Sequence, residues 1–244
     1  MRLKGQIMKI AIMQPYFFPY LGYWQMLNAV DKFVLYDDVN FITRGYVNRN
    51  SILINGKANL FSIPIKKSSQ NRLIMDTKLN FDTKSREKFL KTIVMAYKKA
   101  PQFINFYPIL EDIINNTTDD LSSYIKYAFK KTQEYIITQE WKASPQILLS
   151  SEIKKDNTLS GQDKIIEINK QLGSTQYINA IGGQALYDKA EFAKNGIELY
   201  FIKMNEVKYK QFDNEFVPNL SFIDVLMFND KAKVREFLTR YELV

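Results

Sequence analysis

The chain of 244 residues contains no cysteine and no histidine. The first absence excludes disulfides, thiolate nucleophiles and cysteine-ligated zinc, and it agrees with a cytoplasmic address. The second is more restrictive. Without imidazole there is no Ser-His-Asp or Cys-His catalysis, no histidine-ligated metal and no histidine general base. Proton transfer must run through Asp, Glu, Lys or Tyr, or through water and substrate groups. Long apolar runs are also missing: no stretch reaches the about 18 residues of a membrane-spanning helix. The opening "MRLKGQIMKI" has a basic start but lacks the apolar region of a signal peptide. Residues 1–8 read as an N-terminal extension, and "MKIAIMQP" from Met8 looks like the start of the fold.

What is present supports a sizeable core, since 46% of the residues are hydrophobic. A net charge of +8 suits anionic partners such as nucleotides, nucleotide sugars, nucleic acids or acidic membrane surfaces. The basic residues are scattered and no DNA- or RNA-binding motif occurs, so no nucleic-acid partner is expected.

The expected fold is α/β: a mainly parallel sheet with flanking helices, with a β-hairpin and a helical middle segment. In residues 9–40, "KIAIM" reads as a strand, "LGYWQMLNAV" as a helix and "DKFVLYDDV" as a second strand. That βαβ pattern implies parallel neighbours and a nucleotidyltransferase-like or Rossmann-like start. "NGK" between two β-rich runs predicts a hairpin over about 50–65. Residues 84–142 read as three helical pieces with Pro101, Pro108 and Asp119 as breaks or starts. The last third alternates strands and helices and closes with "SFIDVLMFND" and "AKVREFLTRYEL" as helices. Residues 9–244 therefore read as a single domain carrying a helical insertion.

In open α/β sheets, ligands sit beyond the carboxyl ends of the strands. Two unusual stretches fall there. In "QPYFFPYLGYW" the prolines hold a loop away from the sheet, and Gly22 permits close approach at a helix start. Gln14 offers an amide, and Tyr16, Phe17, Tyr20 and Tyr23 offer ring faces and hydroxyls. In "YDDV", Asp37 and Asp38 point to opposite sides, so one of them is a candidate base. On the hairpin's approach, Arg44 and Arg49 suit phosphate, and Asn48 and Asn50 suit hydroxyls. Near the "IGGQ" turn, Tyr177, Asn179, Gly182 and Gly183 form a weaker anion-binding candidate, without GxGxxG or a P-loop. No metal-ligand set is read. Ser160 with Asp163, and Ser221 with Asp224, read as helix N-caps with third-position carboxylates.

The blocks "MQPYFFPYLGYWQML", "DKFVLYDDVNF", "NRNSILINGK", "YINAIGGQALYDKAEFAKNGIELYFI" and "VPNLSFIDVLMFN" together resemble the WbqC-like protein family, over about Lys9 to Phe228. The resemblance implies a part in building O-antigen or other bacterial surface polysaccharides. It supplies no catalytic residue. The leading expectation is a cytoplasmic transferase acting on a nucleotide-linked sugar, moving an acyl or aminoacyl group onto an amino sugar. Asp37 or Asp38 would then be the base, with Gln14 steadying developing charge. The alternatives are a nucleotidyl- or adenylyl-type transferase working without histidine, and a non-catalytic nucleotide-sugar-binding or scaffold protein. No cofactor is fixed, Mg²⁺ or a nucleotide being the candidates.

Overall fold

The computed structural model describes residues 7–67, 71–137 and 144–244. The proposed extension, except Ile7 and Met8, and residues 138–142 at the end of the expected helical stretch lie outside the described residues. Met8 itself is tied down, since its N–H donates to Thr175 Oγ1 at 3.0 Å.

Short apolar runs make the sheet. β1 (Lys9–Met13), β2 (Lys32–Leu35), β5 (Gln146–Leu149), β6 (Gln176–Ala180) and β7 (Glu198–Met204) are parallel, and β8 (Tyr241–Leu243) closes the edge antiparallel to β7. The order is β5-β2-β1-β6-β7-β8. Both faces are covered, which is why the strands lack a polar side. Ala11, Phe33, Leu35 and Ile178 join the larger core with α1 (Leu21–Asn28). Ile10, Ile12, Val34 and Tyr177 face the other way, against α5 (Gly161–Leu172) and α6 (Lys189–Lys194).

The middle segment forms α2 (Thr83–Tyr97), α3 (Phe103–Asn115) and α4 (Leu121–Ile136). Its Phe89, Ile93, Leu110, Ile125 and Phe129 belong to the same core cluster as the sheet residues. Trp24 of α1 is the link: its indole is stacked between Phe129 at 4.8 Å and Phe222 at 4.6 Å. Phe222 opens α7 (Phe222–Phe228), which is followed by α8 (Lys231–Leu238). Buried Gln25 donates to the carbonyls of Phe237 at 2.8 Å and Arg240 at 3.0 Å, satisfying the end of α8.

The hairpin joins β3 (Arg49–Ile54) to β4 (Lys57–Ser62). Asn55 and Gly56 both have positive φ (51° and 71°), as a tight two-residue turn requires.

Several sequence expectations need correction. Pro108 lies inside α3, whose apolar face of Phe106, Leu110 and Ile113 is buried and carries the helix past it. Asp120, not Asp119, caps α4, accepting from Ser123 N–H at 2.7 Å. Ser160 sits at the N-cap of α5 but its hydroxyl makes no capping bond. The last residues are a strand because β7 presents an edge that "YEL" pairs with.

Trp24→Ala removes the ring that joins three helices. We expect a loss of about 3–5 kcal/mol, measured by urea unfolding.

Candidate functional site

The corner after β1 is held in an uncommon backbone shape. Phe18 has φ 45°, a left-handed conformation costing a bulky residue about 1–3 kcal/mol. Two buried donors hold it: Asn50 Nδ2 reaches the Phe18 carbonyl at 2.7 Å and Ser221 Oγ at 2.9 Å. Backbone bonds run alongside, from Phe17 N–H to Val47 C=O, Phe222 N–H to Pro19 C=O and Ser221 N–H to Ser51 C=O. Corner, hairpin and α7 are thus bonded at one junction.

Beside this junction lies a cavity of about 360 Å³ lined by Tyr16, Pro19, Tyr20, Tyr46, Asn50 and Asn219. Backbone strain gathers here, since Arg44 (φ 65°) and Asn219 (φ 58°) join Phe18 in the left-handed region. The Tyr16 ring lies 5.7 Å from Tyr23 and 6.2 Å from Tyr46. Burial, then the neighbouring Tyr20 and Tyr46, pushes the Tyr16 phenol above its ordinary value, and burial does the same to Tyr20. Both therefore hold their protons at neutral pH. Neither hydroxyl makes a hydrogen bond among the described residues. A Cβ at Gly22 would come within 2.5 Å of Tyr20 Cε2, so this glycine lets the ring lie over the first turn of α1.

The other candidates fall into four groups. Phe17 and Tyr23 are core residues, the Tyr23 hydroxyl donating to Gln14 C=O at 2.8 Å. The Gln14 side chain has no hydrogen bond among the described residues. On the hairpin approach, Asn48 donates to Ile63 C=O at 2.9 Å and Arg49 Nε to Gly45 C=O at 2.7 Å, so both serve the turn. Arg44 is exposed, two residues before Tyr46, with no ion pair among the described residues.

The acids do not line the cavity. Asp37 is fully buried, accepting from Ser151 N–H at 2.9 Å and Ser151 Oγ at 2.7 Å. Burial pushes its carboxyl up against the lowering effect of those bonds. The second strand stops at Leu35, short of the expected "YDDV", so Asp38 lies in the bend after β2 and not in a strand. Its Oδ2 lies 2.9 Å from Lys155 Nζ and 3.0 Å from Lys164 Nζ, with all three side chains at most 10% exposed. Burial raises the Asp38 carboxyl, but the Lys155 ammonium, the Ser150 hydroxyl and the Lys164 ammonium outweigh it and hold it below the usual range.

The β6 group sits on the α5–α6 side. Tyr177 is buried, stacked 5.4 Å from Phe192. Asn179 donates to the Tyr177 hydroxyl at 3.0 Å and accepts from Ala180 N–H. Gly183 packs against the Asn179 amide, while a Cβ at Gly182 would meet open space. Among the described residues no three acids gather to hold a metal ion.

Sequence reasoning passed over Tyr46, Pro19 and Asn219 as cavity walls, and Lys155 and Lys164 as partners of Asp38. It also read Asp224 as a capping residue. Its carboxylate instead accepts from Tyr97 Oη at 2.8 Å, Tyr209 Oη at 2.7 Å and Gln211 Nε2 at 2.7 Å. Burial raises this carboxyl, with the three donors opposing. The network anchors the loop that ends at Asn219. Proline followed by asparagine was the only local signal of that wall.

The family profile described as the WbqC-like protein family matches residues 14–236. The chain belongs to the WbqC-like family. It is also similar to the uncharacterized protein Rv1507c of Mycobacterium tuberculosis, 22% identical over 238 residues, covering 94% of this chain and 97% of that one. No solved structure matches the chain significantly. The family match spans the aromatic corner, both acids, the hairpin and Asn219.

Two variants test this architecture. Asn50→Ala leaves the strained Phe18 carbonyl one donor short and should cost about 1–3 kcal/mol in a urea titration. Lys155→Met should cost about 3–5 kcal/mol by leaving Asp38 under-compensated. Asp38 lies below its unfolded pKa, so its stabilisation is present above that value and lost as pH falls through the folded one. Removing Lys155 raises the folded pKa, and the midpoint of acid unfolding should move to higher pH.

Proposed function

We propose that this protein is a transferase of bacterial surface-polysaccharide assembly, and that the tyrosine cavity takes the sugar or base of a nucleotide-linked sugar. The carrying observation is the group of Tyr16, Tyr20 and Tyr46 around one hollow, with the Tyr16 and Tyr20 hydroxyls unpartnered among the described residues. Tyrosine rings stack on the apolar faces of sugars and bases, and phenol hydroxyls bond to ring substituents. The cavity's size suits one such moiety rather than the whole donor. Arg44 at the approach is free to take diphosphate oxygens. The polysaccharide context comes from the family resemblance. In this reading the protein works in the cytoplasm.

The reaction we favour is acyl or aminoacyl transfer onto an amino sugar, from an acyl or aminoacyl donor. A second reading, a nucleotide-sugar-binding protein without turnover, draws on one specific observation. Asp37 and Asp38 are each engaged by protein partners away from the cavity. A proton leaving an attacking amine would pass to water or to the departing group unless those contacts open.

Calorimetry with UDP-, GDP-, CMP- and dTDP-linked amino sugars tests the site. We expect saturable binding, weakened at least tenfold by Tyr46→Ala, which is about 1.4 kcal/mol or more. Arg44→Ala should weaken nucleotide sugars but not free sugars. Binding by none of these ligands, or binding indifferent to Tyr46→Ala, overturns the site. Mass spectrometry of incubations with acyl and aminoacyl donors separates transferase from binder.

Gly22→Ala should displace the Tyr20 ring and weaken the same ligands while leaving the melting temperature within a few degrees.

A further inference from the structure

A second and larger cavity, about 560 Å³, shares no lining residue with the tyrosine cavity and lies between the hairpin tip, the C-terminal half of α2 and the loop before α7. We infer that it binds an amphipathic anion, an aliphatic chain ending in a phosphate or carboxylate head.

Its walls have two chemistries. Leu53, Ile54, Ala96 and Phe212 give an apolar lining, and Met95 at the rim is 75% exposed. An exposed methionine beside an apolar hollow is an adaptable cover for an alkyl chain. Two of the polar side chains within are already engaged. Thr92 Oγ1 donates to Lys88 C=O at 3.0 Å, and Asn214 Nδ2 to Gln211 C=O at 3.4 Å. The groups left for a ligand's head are the Asn55 amide at the hairpin tip and two cations, Lys98 and Lys99, exposed and without an ion pair among the described residues. Two cations over an apolar hollow select an anionic head on an apolar body.

Lysines at a helix C-terminus also complement its dipole. That explains their charge but neither the hollow nor the strain facing it. Phe212 has φ 53°, an outlier for a bulky residue, and its ring stands edge-on to Phe228 at 4.8 Å. Neighbouring Gln211 is fixed by the buried carboxylate of Asp224 at 2.7 Å. Ligand clamps are among the places where backbone held in such a shape gathers. Leu53 and Ile54 lie three and four residues along β3 from Asn50, so the two cavities open roughly 10–13 Å apart on one strand.

The test uses decyl phosphate in calorimetry, below its micelle concentration, with decanol, inorganic phosphate and decyltrimethylammonium as controls. We expect one molecule bound per chain, more tightly than decanol or phosphate and weakening as salt rises. The double variant Lys98→Glu/Lys99→Glu should weaken binding at least tenfold, and Ala96→Trp, which fills the hollow, should abolish it. Tyr46→Ala should leave it unchanged, which separates this site from the sugar site. Octanoyl-coenzyme A against decanoate and decyl phosphate distinguishes a carrier-linked acyl group from a free lipid anion. The inference is overturned if decyl phosphate does not bind, binds no better than the ammonium amphiphile, or is indifferent to charge reversal. Should Ala96→Trp fail to fold by circular dichroism, the charge-reversal variant still decides, because both lysines are exposed.

Discussion

The Phe18 carbonyl is the point on which the architecture turns. A phenylalanine in the left-handed region would relax if free, and it stays there because Asn50 and Ser221 direct their donors at one oxygen. Those donors come from β3 and from the start of α7, about 30 residues and about 200 residues away in sequence. One hydrogen-bonded junction therefore joins the first βα turn, the hairpin and the C-terminal helices. The tyrosine cavity is its by-product: with the corner bent outward, Tyr16 and Tyr20 stand beside Tyr46 and Asn219 instead of closing into the core.

Buried charge serves a second structural purpose. Asp38 receives two lysines in a nearly dry site, Asp37 is closed off by Ser151, and Asp224 collects two tyrosines and an amide. Each carboxylate sits where elements distant in sequence meet, and each would be costly to leave unpaired. In a protein without histidine such acids look at first like catalytic candidates. Their geometry here is that of clamps holding loops in register. Around the tyrosine cavity, the described side chains without a hydrogen bond or ion pair are the phenols of Tyr16, Tyr20 and Tyr46, the amide of Asn219 and, at the approach, the guanidinium of Arg44, groups suited to recognition.

The fold was largely legible. "KIAIM", "KFVL", "QYINA" and "ELYFIKM" are apolar runs too short for helices and spaced by amphipathic stretches, and a parallel sheet covered on both faces is what such runs build. The Asn55–Gly56 turn was equally plain. Pro108 and the final "YEL" misled because packing and an open strand edge outweighed local preference. The walls of the candidate site were half legible. Tyr16, Tyr20 and Asn50 do meet at one cavity, while Phe17 and Tyr23, of the same residue types in the same stretch, point into the core.

That division has a physical reason. Composition and periodicity act locally, so the chain alone determined which segments are strands or helices, that imidazole and thiol chemistry are absent, and that the β1–α1 corner is unusual. Which way a ring faces, and whether an acid meets water, a serine or two lysines, depends on groups brought in from remote parts of the chain. Only the packed structure decided that the aromatic corner opens toward Tyr46 and Asn219, and that the twin acids turn inward, because burial and hydrogen-bond satisfaction are properties of the whole fold.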